Sequence, residues 1–276
     1  MAVDRPIGVF DSGFGGLTVF RKVLEQLPQY DYVYLGDNAR TPYGNRSFEA
    51  VLRFATAGVG HLFGLGCPLV VIACNTASAK ALRTIQQTYL PAHHPDRRVL
   101  GVIRPTVEAI RAYTKTNTVA LWATAGTVRS DSFALEIAHH APQIKLVQQA
   151  CPLLVPLVEA GELDGAGLDH FITKYWNQTK SQIPNIDTLL LACTHYPLIL
   201  PRIRALLPPA VTVVSQDQLV APSLAGYLAR HPEHESRVSR GGACRYLTTD
   251  SCRHFDHLAE VFMGRPITSE QAELNC

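Results

Sequence analysis

Apolar runs too short for helices recur along the chain, and nearly every one stops at a cluster of small or polar residues before helical periodicity begins. Residues 6–10, 32–36, 69–72, 99–103, 118–122, 144–147, 188–192 and 211–214 read as strands, rich in Val, Ile, Leu and Tyr and without alternation of polar positions. That is the signature of strands buried on both faces of parallel sheets. Between them the pattern predicts helices over 17–27, from a Ser47 cap to about residue 65, and over 77–87, 128–140, 164–178, 198–206 and 219–229. A further amphipathic helix holds Glu159 and ends at Gly161, and a closing helix spans 251–263. Alternation around Gly241-Gly242 over 237–249 predicts a hairpin.

The fold class is therefore α/β, with two pseudo-symmetric domains, each a mostly parallel sheet flanked by helices. Arg104-Pro105 is where the chain leaves the first unit, because the residue before proline resists helix. The strand at 211–214 is expected to carry it back. The first domain is thus assigned to 1–103 and 211–276, and the second to 104–210.

A chain of 276 residues with 47% hydrophobic and 17% charged residues has material for real cores. The formal charge of +2 carries no basic run with interleaved aromatics, so nucleic acid is not the expected main partner. No apolar run reaches the roughly 18 residues of a membrane span, and residues 1–8 hold no signal-peptide core, so no membrane is expected and the cytoplasm is the expected location. Seven cysteines without CxxC or Cys/His metal spacing predict free thiols, no metal site and no disulfide framework. His93 and His94 lie in a polar, proline-bounded stretch read as a solvated surface loop. The sequence leaves a homodimer open.

Two stretches match each other. Ala73-Cys74-Asn75-Thr76 and Ala192-Cys193-Thr194-His195 each place a cysteine where a buried strand gives way to a polar turn and a helix. Ligands bind at that edge of a parallel sheet, and a helix N-terminus is expected to lower a thiol pKa from its usual value of about 8.5. Asn75-Thr76 are expected to cap the helix after Cys74. The loop Asp11-Ser12-Gly13-Phe14-Gly15-Gly16 is neither GxGxxG nor a P-loop. It offers an acid and a hydroxyl at the same edge, although Asp11 could simply cap a helix. Pro42-Tyr43-Gly44 reads as a turn on that rim. Thr124 and Thr127 begin the corresponding helix of the second half, with Thr127 as one candidate cap. Cys151 alone reads as a core thiol, and Cys244, Cys252 and Cys276 as incidental.

Two thiols facing one stereocentre can invert it without a cofactor. One residue removes the proton from one face, the other returns a proton to the opposite face, and both protonation states of sulfur are accessible near neutrality once tuned. Asp11 is available to Cys74, and His195 to Cys193. Backbone amides at the two turns would stabilise the carbanion-like transition state.

Five motifs stand in one register: Gly8-Val9-Phe10-Asp11-Ser12-Gly13-Phe14-Gly15-Gly16-Leu17, Tyr34-Leu35-Gly36-Asp37 with Pro42-Tyr43-Gly44, Ala73-Cys74-Asn75-Thr76-Ala77, Ala150-Cys151-Pro152 with Glu159, and Ala192-Cys193-Thr194-His195-Tyr196-Pro197. In these the chain resembles the glutamate racemases of the aspartate/glutamate racemase superfamily. The resemblance implies a second α/β domain inserted into the first, an active site in the interdomain cleft, and cofactor-independent interconversion of L- and D-glutamate that supplies D-glutamate for peptidoglycan. It implies Cys74 and Cys193 as the acid/bases, with Asp11, Glu159 and His195 supporting them. Ser12, Pro42, Tyr43, Gly44, Asn75, Thr76, Thr124 and Thr194, with Asp11 and His195, match substrate-contacting positions. Two departures stand out: Trp122-Ala123 in place of small residues, and Val214-Ser215-Gln216 without an expected acid near Asp217. Racemisation of another acidic amino acid such as aspartate, a Cys-His hydrolase built on Cys193 and His195, and a binding protein with inert thiols are the rival readings.

Overall fold

The computed structural model describes residues 5–274, so Cys276 lies outside the described residues. Ten strands are found there: β1 Ile7–Asp11, β2 Tyr32–Gly36, β3 Leu69–Ile72, β4 Arg98–Gly101, β5 Thr118–Ala123, β6 Lys145–Ala150, β7 Thr188–Ala192, β8 Thr212–Ser215, β9 Cys244–Thr248 and β10 Ser269–Gln271. They form a six-stranded sheet of order β10-β9-β2-β1-β3-β4 and a four-stranded sheet of order β6-β5-β7-β8. All neighbouring strands are parallel. Every residue of β1, β2, β3, β5 and β7 is buried, as their unbroken apolar runs predict.

The run β2-β1-β3-β4 has the same order as β6-β5-β7-β8, and this corrects one expectation. The strand near 211–214 does not return the chain to the first sheet; β8 pairs with β7, with Leu190 opposite Val214, as β4 pairs with β3. The return crossing falls instead to the helix Asp217–Arg230, which packs on the helix Gly16–Gln26. The outward crossing is the helix Ile103–Ile110, which includes Arg104 and Pro105. A proline in a first helical turn gives up no intrahelical hydrogen bond, so the expected stop there does not occur. Nor is there a hairpin over 237–249. β9 pairs in parallel with β2 and β10, and only the isolated antiparallel bridge between Tyr30 and Arg240 precedes it.

Caps decide several helix starts. Ser47 accepts the Ala50 amide at 3.2 Å to open the helix Phe48–Gly64. The helix after Cys74 covers only Asn75–Lys80. The path beyond it continues through the helix Leu82–Thr84, a π-helical turn Ile85–Tyr89 and the helix Leu90–His93, where a loop is expected. His94 is not fully solvated, its ring lying 4.8 Å from that of Phe63. In the second half Thr124, not Thr127, is the cap: its hydroxyl accepts the Thr127 amide at 3.2 Å and opens the helix Ala125–Arg129. Asp131, in the left-handed region, separates this from the helix Ser132–His140.

One apolar cluster runs through both halves, joining β1, β2 and β3 side chains to those of β5, β7 and the helix Asp217–Arg230. Trp122 is its largest wholly buried side chain. Its indole N–H donates to Thr179 Oγ1 at 2.9 Å and its ring meets Tyr175 edge-on, so the bulk that departs from the expected small residues fills the space under the helix Ala166–Lys180. Replacing Trp122 by Ala should lower the unfolding free energy by about 3–5 kcal/mol in a denaturant titration, the range for deleting a buried aromatic ring. A loss under about 1 kcal/mol would show that the core closes over the gap.

Candidate active site

In each sheet the chain steps to one side of the first strand and then to the other, leaving a crevice at the carboxyl ends of β1 and β3 and of β5 and β7. The loop after β1 and Cys74 after β3 lie at the first crevice. Thr124 after β5 and Cys193 after β7 lie at the second.

Asp11, the last residue of β1, is fully buried. One oxygen, Oδ2, accepts the Gly13 amide at 3.0 Å, and the other, Oδ1, has no partner. Burial raises its pKa; His195 and the amides of Gly16 and Gly13 pull it down, while Glu159 adds to the rise. The helix after this loop starts at Gly16, with Gly15 and not Asp11 in the cap position.

Cys74 is itself the cap of its helix. Its sulfur accepts the Ala77 amide at 3.4 Å, and its S–H lies 3.4 Å from Ser12 Oγ, which accepts it. The expected depression of its pKa is not found. Burial pushes the thiol up to about 12, Asp11 and Cys193 add to that, and the Ser12 and Ala77 contacts oppose it without cancelling it. Desolvation of a charged sulfur outweighs the dipole of a helix of six residues.

Cys193 faces a cation instead. Its sulfur lies 3.9 Å from His195 Nδ1, and His195 Nε2 lies 3.0 Å from Glu159 Oε1 at the end of the helix Leu154–Glu159. Burial alone would push the imidazole down, but its bonds to Cys193 and Glu159 outweigh that and raise it to about 10. The ring also packs edge-on against Phe262 of the closing helix, 5.5 Å between centroids.

The two loops touch directly. A Cβ on Gly15 would stand 2.3 Å from Thr194 Oγ1 and 2.5 Å from His195 Nδ1, so only glycine lets the β1 loop close on the β7 turn. Thr18 Oγ1 donates to Thr194 O at 2.8 Å across the same seam. On the other flank the hydroxyls of Thr76 and Thr124 are 2.9 Å apart, with Thr127 within 3.3 Å of both. Gly44 lies against Thr124, and Tyr43 is anchored by donating its phenol proton to Asp37 Oδ2 at 2.5 Å. Pro42 stays exposed at the rim.

Asp11, Ser12, Cys74, Asn75 and Thr76 thus gather at the first crevice, and Thr124, Cys193, Thr194, His195 and Glu159 at the second, with Tyr43 and Gly44 bridging towards Thr124. Cys151 is buried, its sulfur pointing to Gln149 O at 3.6 Å. Lys80 and Gln216 escaped the sequence reading. Lys80 lies buried behind Thr76, its Nζ donating to Arg46 O at 2.7 Å and facing Gly126, although a lysine in a helical pattern reads as a surface residue. Gln216 donates to Val102 O and Thr106 Oγ1 and accepts from Asn75 Nδ2 at 2.5 Å. Among the described residues, His231, Glu233 and His234 have metal-ligand spacing, at the far end of the helix that starts beside Gln216. No described helix is long and apolar enough to cross a membrane.

The family model described as Asp/Glu/Hydantoin racemase matches residues 7–221. A glutamate racemase of Paracoccus denitrificans (strain Pd 1222) is 40% identical over 276 residues, covering 96% of this chain and 99% of the relative. Among solved structures, glutamate racemase isoform RacE1 from Bacillus anthracis superposes with a TM-score of 0.88 at 33% identity, covering 98% of each chain. Glutamate racemase from Francisella tularensis, solved in complex with D-glutamate, gives 0.84 at 30% identity, covering 99% of this chain and 98% of that one.

The His195 shift has a definite sign for stability. Its folded pKa of about 10 lies above the ordinary 6.5, so the folded protein binds the extra proton between those values. Stability from it is fully present below pH 6.5 and is lost as pH rises towards 10. The denaturant midpoint should therefore fall from pH 7 to pH 9.5, and His195→Asn should flatten that slope. An unchanged slope in the variant would remove His195 as its source.

Proposed function

The chain belongs to the Asp/Glu/hydantoin racemase family, and we propose that it interconverts L- and D-glutamate by a two-base mechanism in which Cys74 and Cys193 face the α-carbon from opposite sides. One observation carries this reading. The two thiols occupy the same position in two sheets of the same strand order, each just past the strand on the same side of its crevice. Glutamate is preferred to other acidic amino acids because the curated relatives that align with nearly the whole chain are glutamate racemases.

The surroundings of the thiols support one order of steps. His195, held positive by its bonds to Glu159 and Cys193, sits beside the sulfur that takes the α-proton from one face. The C–H bond breaks, an S–H bond forms on Cys193, and the electron pair stays on the α-carbon. Cys74, held as a thiol by burial, gives its proton to the other face. The reverse reaction exchanges the two roles. Asp11, buried near Cys74 with a raised pKa, is the group that relays its proton. The hydroxyls of Thr76 and Thr124, the Ser12 hydroxyl and the amides of the turns after β3 and β7 are positioned for the substrate carboxylates, whose charge delocalises the carbanion. D-Glutamate made this way serves peptidoglycan synthesis, a cytoplasmic role.

Incubation of the protein with D-glutamate in deuterium oxide, followed by circular dichroism and mass spectrometry, should give L-glutamate carrying one solvent deuteron at the α-carbon, without added pyridoxal phosphate. Retention of the original hydrogen in the product would sink the two-base reading, and so would the absence of any inversion. Cys74→Ala and Cys193→Ala should each lower kcat for racemisation by about 10²–10⁴-fold, the contribution of a general acid or base. A single variant retaining near-normal turnover would remove that thiol from the mechanism. A Cys-His hydrolase would need only Cys193.

A further inference from the structure

Gln216 lies in the turn between β8 and the helix Asp217–Arg230, where the chain crosses back to the first half, and it is buried. Its hydrogen bonds leave no freedom in how its amide points. Nε2 reaches Val102 O at 2.9 Å, and a peptide carbonyl can only accept. Nε2 also reaches Thr106 Oγ1 at 2.8 Å, and that hydroxyl spends its own proton on Val102 O at 2.7 Å, so it accepts as well. The NH2 end of Gln216 is thereby fixed on the outward-crossing helix, and Oε1 must face Asn75. What meets Oε1 at 2.5 Å must be a donor, the Asn75 NH2. Asn75 Oδ1 is then the end turned away, buried and without a protein partner.

Glutamate brings two carboxylates, which accept, and one ammonium, which donates. A buried acceptor kept free fits the ammonium alone. We infer that Gln216 is a positioning residue, which locks the Asn75 amide so that its oxygen, not its NH2, meets the substrate α-ammonium. This rests on the glutamate reading above. The lock spans the joint, because Gln216 follows β8 of one sheet and Asn75 follows β3 of the other. It also closes the stretch Val214-Ser215-Gln216, near Asp217, in which an acidic residue is expected. A carboxylate there would accept from Asn75 but could not donate to Val102 O while ionised.

The test compares glutamate with glutarate, which has both carboxylates and no ammonium. Gln216→Leu should raise KM for D- and L-glutamate about tenfold or more with kcat changed less than about threefold, while the inhibition constant of glutarate stays within about twofold. Asn75→Ala should act alike, and adding Gln216→Leu to it should cost nothing further. Gln216→Met, closer in shape, replaces the Leu variant if thermal unfolding shows the latter misfolded. Equal weakening of glutarate and glutamate, an unchanged KM, or additive losses in the double variant would each overturn the inference. Failure of the wild-type protein to racemise glutamate would instead overturn the reading beneath it, before any variant is compared.

Discussion

Two sheets with the same strand order meet through a thin polar seam, and the relative placement of the thiols depends on that seam. Thr18 binds Thr194, Thr76 binds Thr124, and Asn75 binds Gln216, each across the boundary between halves. Such contacts contribute roughly 0.5–1.5 kcal/mol each. They are weak beside the apolar cluster shared by the two halves, but they have direction, which hydrophobic burial lacks. Burial brings the halves together, and the hydrogen bonds fix how they face. Gly15 and Gly126 mark the closest approaches, since a Cβ on the latter would stand 2.6 Å from Gly44 O.

Within this frame the two sulfurs have unlike neighbours. Cys74 has a buried carboxyl and a hydroxyl for neighbours, and nothing beside it favours a negative charge strongly enough to offset desolvation. Cys193 has an imidazole backed by a carboxylate. The two-base proposal asks for one proton shared between the two sulfurs, and their surroundings are not alike.

The sequence shows the strand-cysteine-turn units plainly because a strand buried on both faces leaves an unbroken apolar run, and Cys74 and Cys193 end two such runs. Strand pairing is another matter. β8 looks the same in sequence whether it joins the first sheet or the second, and only the repeat of the order β2-β1-β3-β4 assigns it. The helix after Cys74 is shorter than its sequence pattern implies, because the periodicity over 77–87 continues through a change to π-helical pitch. The expected thiolate at Cys74 failed for a related reason: a helix start is visible in sequence, whereas the burial that outweighs it is a property of the assembled cleft. Gln216 was invisible as a functional residue, since nothing local marks a glutamine whose partners lie more than 100 residues away in sequence.

The unequal thiols also bear on turnover. In the proposed two-base cycle, one inversion leaves the proton that began on Cys74 on the substrate and the substrate's own proton on Cys193. The charge has moved towards Asp11, which would repel it if ionised. Burial raises the Asp11 pKa, which lessens that repulsion. His195 does the converse, losing its stabilising partner once Cys193 is a thiol while Glu159 continues to hold it. Asp11 and His195 thus each compensate the half-site whose charge changes. Burial thus raises the pKa of Asp11 and of the thiol beside it alike, so the same dry cleft that disfavours a charge on Cys74 also disfavours one on the carboxyl that would repel it.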